Sequence, residues 1–286
     1  MKKVLITGAN GYIGSHLISE ISKYQDYFFV VAADLASDNL PKYIKFMQVD
    51  LTKDYNKSAL YELAGNPDIL IHLAWRNGFD HNASSHMDDL SAHFSFIKNL
   101  SDRGTSQFIV AGSFREYGSV NGLVDQNRNV IAENLYTLSK STLRRALEIY
   151  FNNTSKHLQW IRPFTVYGDD TKNNSILSKI IQWEAEGKRT FPFTDGNEMY
   201  DYIHVLTLAK QIVAIASQTD VTGIIDCCSG VPTRLGDMVD NFIRVNHFKI
   251  RPDYGAYQRR DYDSPVIYGD NRKIKQIMDN CVLFNH

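Results

Sequence analysis

The chain is sparing with cysteine, with excess charge of either sign and with long apolar runs. Its three cysteines, Cys227, Cys228 and Cys281, follow no zinc-type spacing. The adjacent pair sits in an apolar run and reads as small core residues rather than a disulfide, which points to a reducing, cytoplasmic setting. Lys and Arg number 31 against 32 Asp and Glu, a net charge of −1. That balance offers neither a basic field for nucleic acid nor a polybasic membrane anchor. No apolar run approaches the length of a membrane span. Too few apolar residues precede Thr7-Gly8 for a signal peptide. No metal-ligating pattern, internal repeat or low-complexity tract stands out. A chain of 286 residues can bury a large core, as one α/β unit or two interlocked lobes.

What is present begins at the N-terminus. In Lys3-Val4-Leu5-Ile6-Thr7-Gly8-Ala9-Asn10-Gly11-Tyr12-Ile13-Gly14 a short apolar run breaks into three glycines and then into helical spacing. Strand, glycine turn and helix in that order form a phosphate cradle. Gly8 permits the turn, Gly11 lets backbone approach a pyrophosphate, and Gly14 lets the helix lie close to its strand. The helix N-terminus, with Asn10, Tyr12 and Ile13 around it, directs N–H groups at the anion. The next apolar run ends in Asp34, 20 residues beyond Gly14, where a carboxylate can accept both hydroxyls of an adenosine ribose. The plainer reading is a strand-loop-helix corner with a capping Asp. Asp34 favours NAD(H), because it would repel a 2′-phosphate and no Arg follows in Leu35-Ala36-Ser37. The frequent use of NADPH by biosynthetic reductases keeps NADP open.

Apolar strand-like runs recur at 4–7, 27–33, 44–49, 69–73, 107–111, 157–161 and 223–228, with helical spacing at 54–64, 86–100, 134–150 and 205–217. This alternation predicts a doubly wound parallel sheet of Rossmann type, an α/β fold. Residues 169–201 and 229–286 have no regular strand-helix beat. They are expected to form a smaller substrate-binding cap on a dinucleotide-binding domain made of 1–168 and 202–228.

Tyr136 and Lys140 lie four apart in a predicted helix, so phenol and ammonium share one face. Ser113 follows the predicted strand 107–111, at the sheet end where a carbonyl would meet a dinucleotide. A ketone that accepts hydride needs a proton donor, and a tyrosine of pKa near 10 is a poor one at neutral pH. Moving it toward 7 takes roughly 4 kcal/mol of preferential phenolate stabilisation, which a neighbouring ammonium and an oxidised nicotinamide ring can supply. The alternative is a core aromatic and a solvated helix charge.

Gly8-x-x-Gly11-x-x-Gly14, Asp34, Asp50-Leu51, His72-Leu73-Ala74, Ser113 with Tyr117-Gly118, Tyr136-x-x-x-Lys140 and Arg162-Pro163-Phe164-Thr165-Val166-Tyr167-Gly168 occur in an order and spacing that resembles the extended short-chain dehydrogenase/reductases, in their nucleotide-sugar epimerase/dehydratase branch. The resemblance implies that Asp50 and Leu51 border the adenine, Leu73 and Ala74 the nicotinamide ribose side, and Pro163 and Phe164 the nicotinamide. It implies that Ser113 holds the reacting sugar oxygen, Tyr136 transfers its proton, and Lys140 holds the ribose hydroxyls while lowering the tyrosine pKa. His72 reads equally as a structural hydrogen-bonder, and Pro163 as a strand terminator.

Departures from the family pattern narrow the choice. Sugar 4,6-dehydratases place Asp and Glu directly after the catalytic hydroxyl residue, where this chain has Phe114-Arg115, although Glu116 follows. The family's Arg-Asp-aromatic motif appears as Tyr200-Asp201-Tyr202, without the arginine. Thr165 stands where many relatives have Asn. Arg260, in Arg259-Arg260-Asp261, suits a diphosphate; the two arginines read otherwise as exposed loop charges. Trp75 and Phe79 could floor a pocket for a deoxygenated sugar face, with Arg76 or His81 at its polar edge, or they pack under the cap. Phe114 and Thr165 complete the expected substrate contacts.

The expected activity is reduction, by NAD(P)H, of the C4 ketone of a nucleotide-linked deoxyhexulose for a surface polysaccharide. A 4-epimerase would use the same Ser-Tyr-Lys set, and a non-catalytic dinucleotide-binding regulator would need none of it. The expected partner is a nucleotide-diphosphate sugar. A homodimer through the helices at 86–100 and 134–150 is the family expectation, although Phe94, Ile97, Leu143 and Leu147 also suit packing on the sheet.

Overall fold

A computed structural model describes residues 1–126, 132–168, 175–259 and 263–284. Seven strands form one parallel sheet: β1 (Lys2–Thr7), β2 (Phe28–Asp34), β3 (Lys45–Gln48), β4 (Ile69–His72), β5 (Gln107–Ala111), β6 (His157–Pro163) and β7 (Gly223–Cys227). Their order across the sheet is β7-β6-β5-β4-β1-β2-β3, a Rossmann-like arrangement whose strand order reverses between β1 and β4. The strands are apolar on both faces because both are covered. Helix α1 (Tyr12–Ile21) and helix α4 (Val205–Ala216) pack in the core on one side, with Ile6, Ile71, Leu17 and Ile212. Helix α2 (Leu90–Arg103) and helix α3 (Leu135–Phe151) close the other, with Leu5, Leu70, Phe96 and Leu147. Ile97, Leu143 and Leu147 are buried there against the sheet, and Phe94 packs against the same core.

All seven apolar runs became the strands of this sheet. The segment 54–64 is broken into two short helices, Leu51–Asp54 and Leu60–Leu63. The stretches expected to lack a beat do contain helices at Ile176–Ala185, Leu235–Val245 and Arg272–Asp279. The strands that lie wholly within them, such as Thr190–Pro192 and Pro232–Arg234, have three residues each, too few for an alternation to show. A smaller sheet joins Pro232–Arg234, Met199–His204, Val266–Tyr268 and Asn121–Leu123, and Thr165–Tyr167 pairs with Met199–His204. The strands at 121–123 and 165–167 therefore leave the large sheet and build the smaller one beside it.

Candidate active site

The glycine corner stands at the carboxyl end of β1. Gly8 has a φ of +69°, and a Cβ there would lie 2.6 Å from the backbone nitrogen of Ala74, so the turn and the strand end at Leu73-Ala74 are pressed together. A Cβ on Gly14 would come within 2.1 Å of the Gly8 carbonyl oxygen. Helix α1 can start over the turn only because that atom is missing. Gly11 is its N-cap and offers no side chain, leaving the first N–H groups of the helix for an anion. Asp34, at the end of β2, accepts the N–H of Asn10 at 2.8 Å on one oxygen and that of Leu35 at 2.7 Å on the other. Each oxygen keeps capacity for a hydroxyl. Asn10 is tied to Asn39, whose N–H it accepts at 2.7 Å. Tyr12 stands edge-on to His16, and Ile13 packs against the core. A cradle that a Cβ would fill, with a carboxylate at the neighbouring strand end, fits a dinucleotide.

Asp50 caps the helix at Leu51, accepting from Thr52 N–H at 3.0 Å and pairing with Lys53 at 2.9 Å. Those bonds hold its carboxyl down at about 2. Leu51 packs on the core of the α2–α3 face and Leu73 on the opposite one.

Ser113 follows β5 and caps a short 3-10 turn at Phe114–Tyr117 in a capping box with Glu116. Tyr136 lies in the first turn of α3, where Asn134 caps the helix by accepting from Thr137 N–H at 2.9 Å. The Tyr136 phenol lies close enough to the Ser113 side chain for the two to interact. Lys140, one turn on, donates to the Ala111 carbonyl at 2.7 Å and is 4% exposed. The structure thus brings together the three side chains singled out in the sequence. Burial pushes the Tyr136 phenol up, an effect opposed by the neighbouring Ser113 hydroxyl. Burial pushes Lys140 down to about 7, against the pull of Glu116. For the phenol, its own desolvation and the Glu116 charge outweigh the opposing pull of Ser113 and Arg115.

Glu116 resolves a question left open by the sequence. It is fully buried beneath Ser113. One oxygen accepts Ser113 N–H at 2.8 Å and Trp160 Nε1 at 2.9 Å; the other accepts Arg162 Nη2 at 3.0 Å. A carboxylate so engaged cannot serve as acid or base for water elimination. Its signal in the sequence was Arg162 in the apolar run Trp160-Ile161, a charge inside a strand otherwise bound for the core, with Glu116 as a candidate partner. Arg162 is likewise fully buried, with its guanidinium 4.3 Å from the centre of the Tyr117 ring. Tyr117 donates to Asp226 at 2.8 Å, and burial raises the Asp226 carboxyl to about 6. Asp201, passed over in the sequence except as part of its motif, is also fully buried and accepts N–H groups of Ser229, Gly230 and Gly269 at 2.8, 2.7 and 3.2 Å.

A cavity beside Ser113 and the start of α3 is lined by Phe114, Arg115, Asn134, Tyr200, Asp263 and Ile267 among others. Arg115 pairs with Asp263 at 3.0 Å. Phe114 stacks on Phe164 with ring centroids 5.4 Å apart. Phe164 is buried and Pro163 closes β6, while Thr165 opens the small-sheet strand beside Tyr202. Trp75 and Phe79 are not among the residues that line this cavity. Trp75 packs on His93 at a centroid distance of 4.4 Å, and Phe79 is exposed. Arg76 forks onto the buried Asp89, at 2.8 Å through Nη2. His81 stacks on the Tyr136 ring at 5.6 Å. His72 bridges Thr7 at 2.8 Å and His93 at 2.9 Å. Burial keeps both imidazoles neutral, His93 at about 3, which is the structural role. Arg260 lies outside the described residues; Arg259 is exposed. No His, Cys, Asp and Glu cluster suited to a metal occurs among the described residues, and none of their helices is long and apolar enough to cross a membrane.

Comparison with known proteins accords with this geometry. The chain is similar to a dTDP-6-deoxy-L-talose 4-dehydrogenase (NAD(+)) of Aggregatibacter actinomycetemcomitans, 31% identical, over 93% of this chain and 98% of that protein. Among solved structures, MoeE5 in complex with UDP-glucuronic acid and NAD superposes with a TM-score of 0.81 at 22% identity, covering 97% of this chain and 92% of that one. UDP-N-acetylglucosamine 4-epimerase from Methanobrevibacter ruminantium M1 does so with 0.82 at 20% identity, covering 96% and 91%. A profile of the NAD dependent epimerase/dehydratase family matches residues 4–227. With its glycine cradle, Asp34 and the Ser113-Tyr136-Lys140 set in place, the chain belongs to the NAD-dependent epimerase/dehydratase family, whose members include nucleotide-sugar 4-dehydrogenases and epimerases.

Proposed function

We propose that this protein reduces the C4 ketone of a nucleotide-linked 6-deoxyhexulose with a reduced nicotinamide cofactor. The observation that carries the reading is the half-buried Tyr136 phenol beside the buried Ser113, with the buried Lys140 one helical turn away and its ammonium 5.9 Å from the centre of the Tyr136 ring. The nicotinamide, when bound, supplies or accepts the hydride. The glycine corner would hold its pyrophosphate and Asp34 its adenosine ribose, and that carboxylate favours NAD(H) over NADP(H). Ser113 orients the sugar oxygen. Tyr136 gives that oxygen its proton as the ketone becomes an alcohol, and the Lys140 ammonium offsets the phenolate charge left behind.

Two features support reduction over the family's other reactions. Phe114 and Arg115 stand where a dehydratase needs an acid and a base, and Glu116 is committed to Arg162 and Trp160. The relative at 31% identity is named for C4 dehydrogenation of a 6-deoxyhexose, which is the same hydride transfer read in reverse.

The test is to supply nucleotide-linked 4-keto-6-deoxyhexoses with NADH or NADPH and to follow both cofactor and sugar. Consumption of one reduced cofactor per alcohol formed is expected. Tyr136→Phe is expected to lower kcat by about 10²- to 10⁴-fold with little change in KM. Interconversion of 4-hydroxy sugars without net consumption would identify an epimerase. No turnover with any such sugar, and no effect of Tyr136→Phe, would leave a dinucleotide-binding protein without catalysis.

A further inference from the structure

Lys140 projects from α3 into a space enclosed by several elements. Its ammonium meets the Ala111 carbonyl of β5 at 2.7 Å and lies 3.8 Å from the centre of the Trp75 ring; the Tyr136 ring is farther, at 5.9 Å. Glu116 faces it from the turn after β5, and His72 on β4 and His93 on α2 sense its charge. Both histidines are neutral, so Glu116 is the only negative charge acting on the ammonium among the groups that shift it. Besides that carboxylate and the Ala111 carbonyl, the ammonium has the indole face as a favourable partner.

Trp75 is not free to turn aside. Its ring stacks on His93 with an interplanar angle of 17°. Its Nε1 donates to His86 Nδ1 at 3.0 Å, and His86 in turn donates through Nε2 to the Asp80 carbonyl at 2.8 Å. The ring face presented to Lys140 is thereby fixed by two histidines and one carbonyl. The face of an aromatic ring carries negative charge density, and the attraction for a cation grows as water is excluded.

We propose that Trp75 is a positioning residue for Lys140, its indole face holding the amine beside Tyr136 and favouring the charged form. Burial alone drives that lysine toward neutrality, and a neutral amine could not offset a phenolate. The ring face counters the burial without adding a carboxylate that would hold the phenol protonated. The purpose of the contact rests on the hydride-transfer reading, but the contact itself can be tested without turnover.

The experiment titrates lysine side chains labelled with ¹³C and ¹⁵N by NMR in the intact protein, with Lys140→Met assigning the resonance. In Trp75→Leu, which keeps the site apolar but removes the ring, the Lys140 midpoint is expected to fall by about one pH unit, equivalent to ~1.4 kcal/mol. The high-pH limb of kcat should move down with it. Biosynthetic 5-fluorotryptophan, which keeps the shape and drains charge from the ring face, should give a smaller shift in the same direction. It carries the decision should Trp75→Leu fail to fold. Lys188, 4.0 Å over Trp183 but 45% exposed, provides a water-screened comparison within the same sample. An unchanged midpoint overturns the assignment. So does a rise toward the ordinary lysine range, which would mean that Trp75 only keeps water out. An inactive protein with the expected shift would count against the reductase reading and leave the contact standing.

Discussion

The glycine corner and the catalytic corner hold their shapes by opposite means. At the first, atoms are missing: Gly8 and Gly14 let backbone come where any Cβ would collide. At the second, polar atoms are crowded together. Glu116, Arg162, Trp160 and Ser113 interlock in one buried layer, and Lys140, Trp75, His93 and His86 in another. A site built from absent side chains fails by steric overlap and should respond almost alike to any added carbon. A site built from paired charges fails by leaving one partner alone, so its response depends on which partner is removed and on whether the other goes too.

Three changes would break or sharpen this contrast. The largest effect is expected from Arg162→Met, which takes the nearer guanidinium from the buried Glu116 carboxylate and leaves it Arg144 at 3.8 Å; it should cost about 3–5 kcal/mol of unfolding free energy. Adding Glu116→Gln should recover a good part of that loss. Denaturant unfolding of the two single variants and the double variant measures the coupling, and strictly additive losses would refute the picture of an interlocked layer. Next comes Gly14→Ala, whose extra carbon meets the Gly8 carbonyl. It should cost about 1–3 kcal/mol and weaken dinucleotide binding, read together by thermal melts and calorimetry, and no partner change elsewhere should rescue it.

The smallest effect at neutral pH is expected from Lys140→Met. The folded protein holds this lysine at about 7, against 10.5 for an ordinary one. Between those values the unfolded chain binds more protons, so wild-type stability should climb as pH rises from about 7 toward 10.5 and level off above. Lys140→Met should remove that climb and melt slightly higher at pH 7 while losing activity. A wild-type melting profile flat across this range would contradict a buried, depressed lysine.

The same contrast explains what could be read from the sequence. The glycine corner, Asp34 and the seven strands of the large sheet follow from local spacing, since turn, helix start and strand lie within some thirty residues. Ser113, Tyr136 and Lys140 were legible as a set because a strand end and one helical turn suffice to place them. The pairing of Glu116 with Arg162 spans 46 positions and that of His72 with His93 spans 21. No periodicity encodes such partners. Trp75 was legible as unusual, but its stack on His93 and its contact with Lys140 join segments far apart in the chain, and no local spacing announces them. Four of the five strands of the small sheet have three residues, too few to alternate visibly, so its composition from segments at 121, 165, 199, 232 and 266 was out of reach.

The passage of the chain between the two sheets takes a single residue. Pro163 ends β6 and Thr165 starts the strand beside Tyr202, leaving only Phe164, whose N–H is held by the Cys227 carbonyl at 3.0 Å and whose ring is wedged against Phe114 and Tyr117. With no slack at this seam, the small sheet cannot swing there like a door on the large one. Any opening that admits a bulky ligand has to come from other elements.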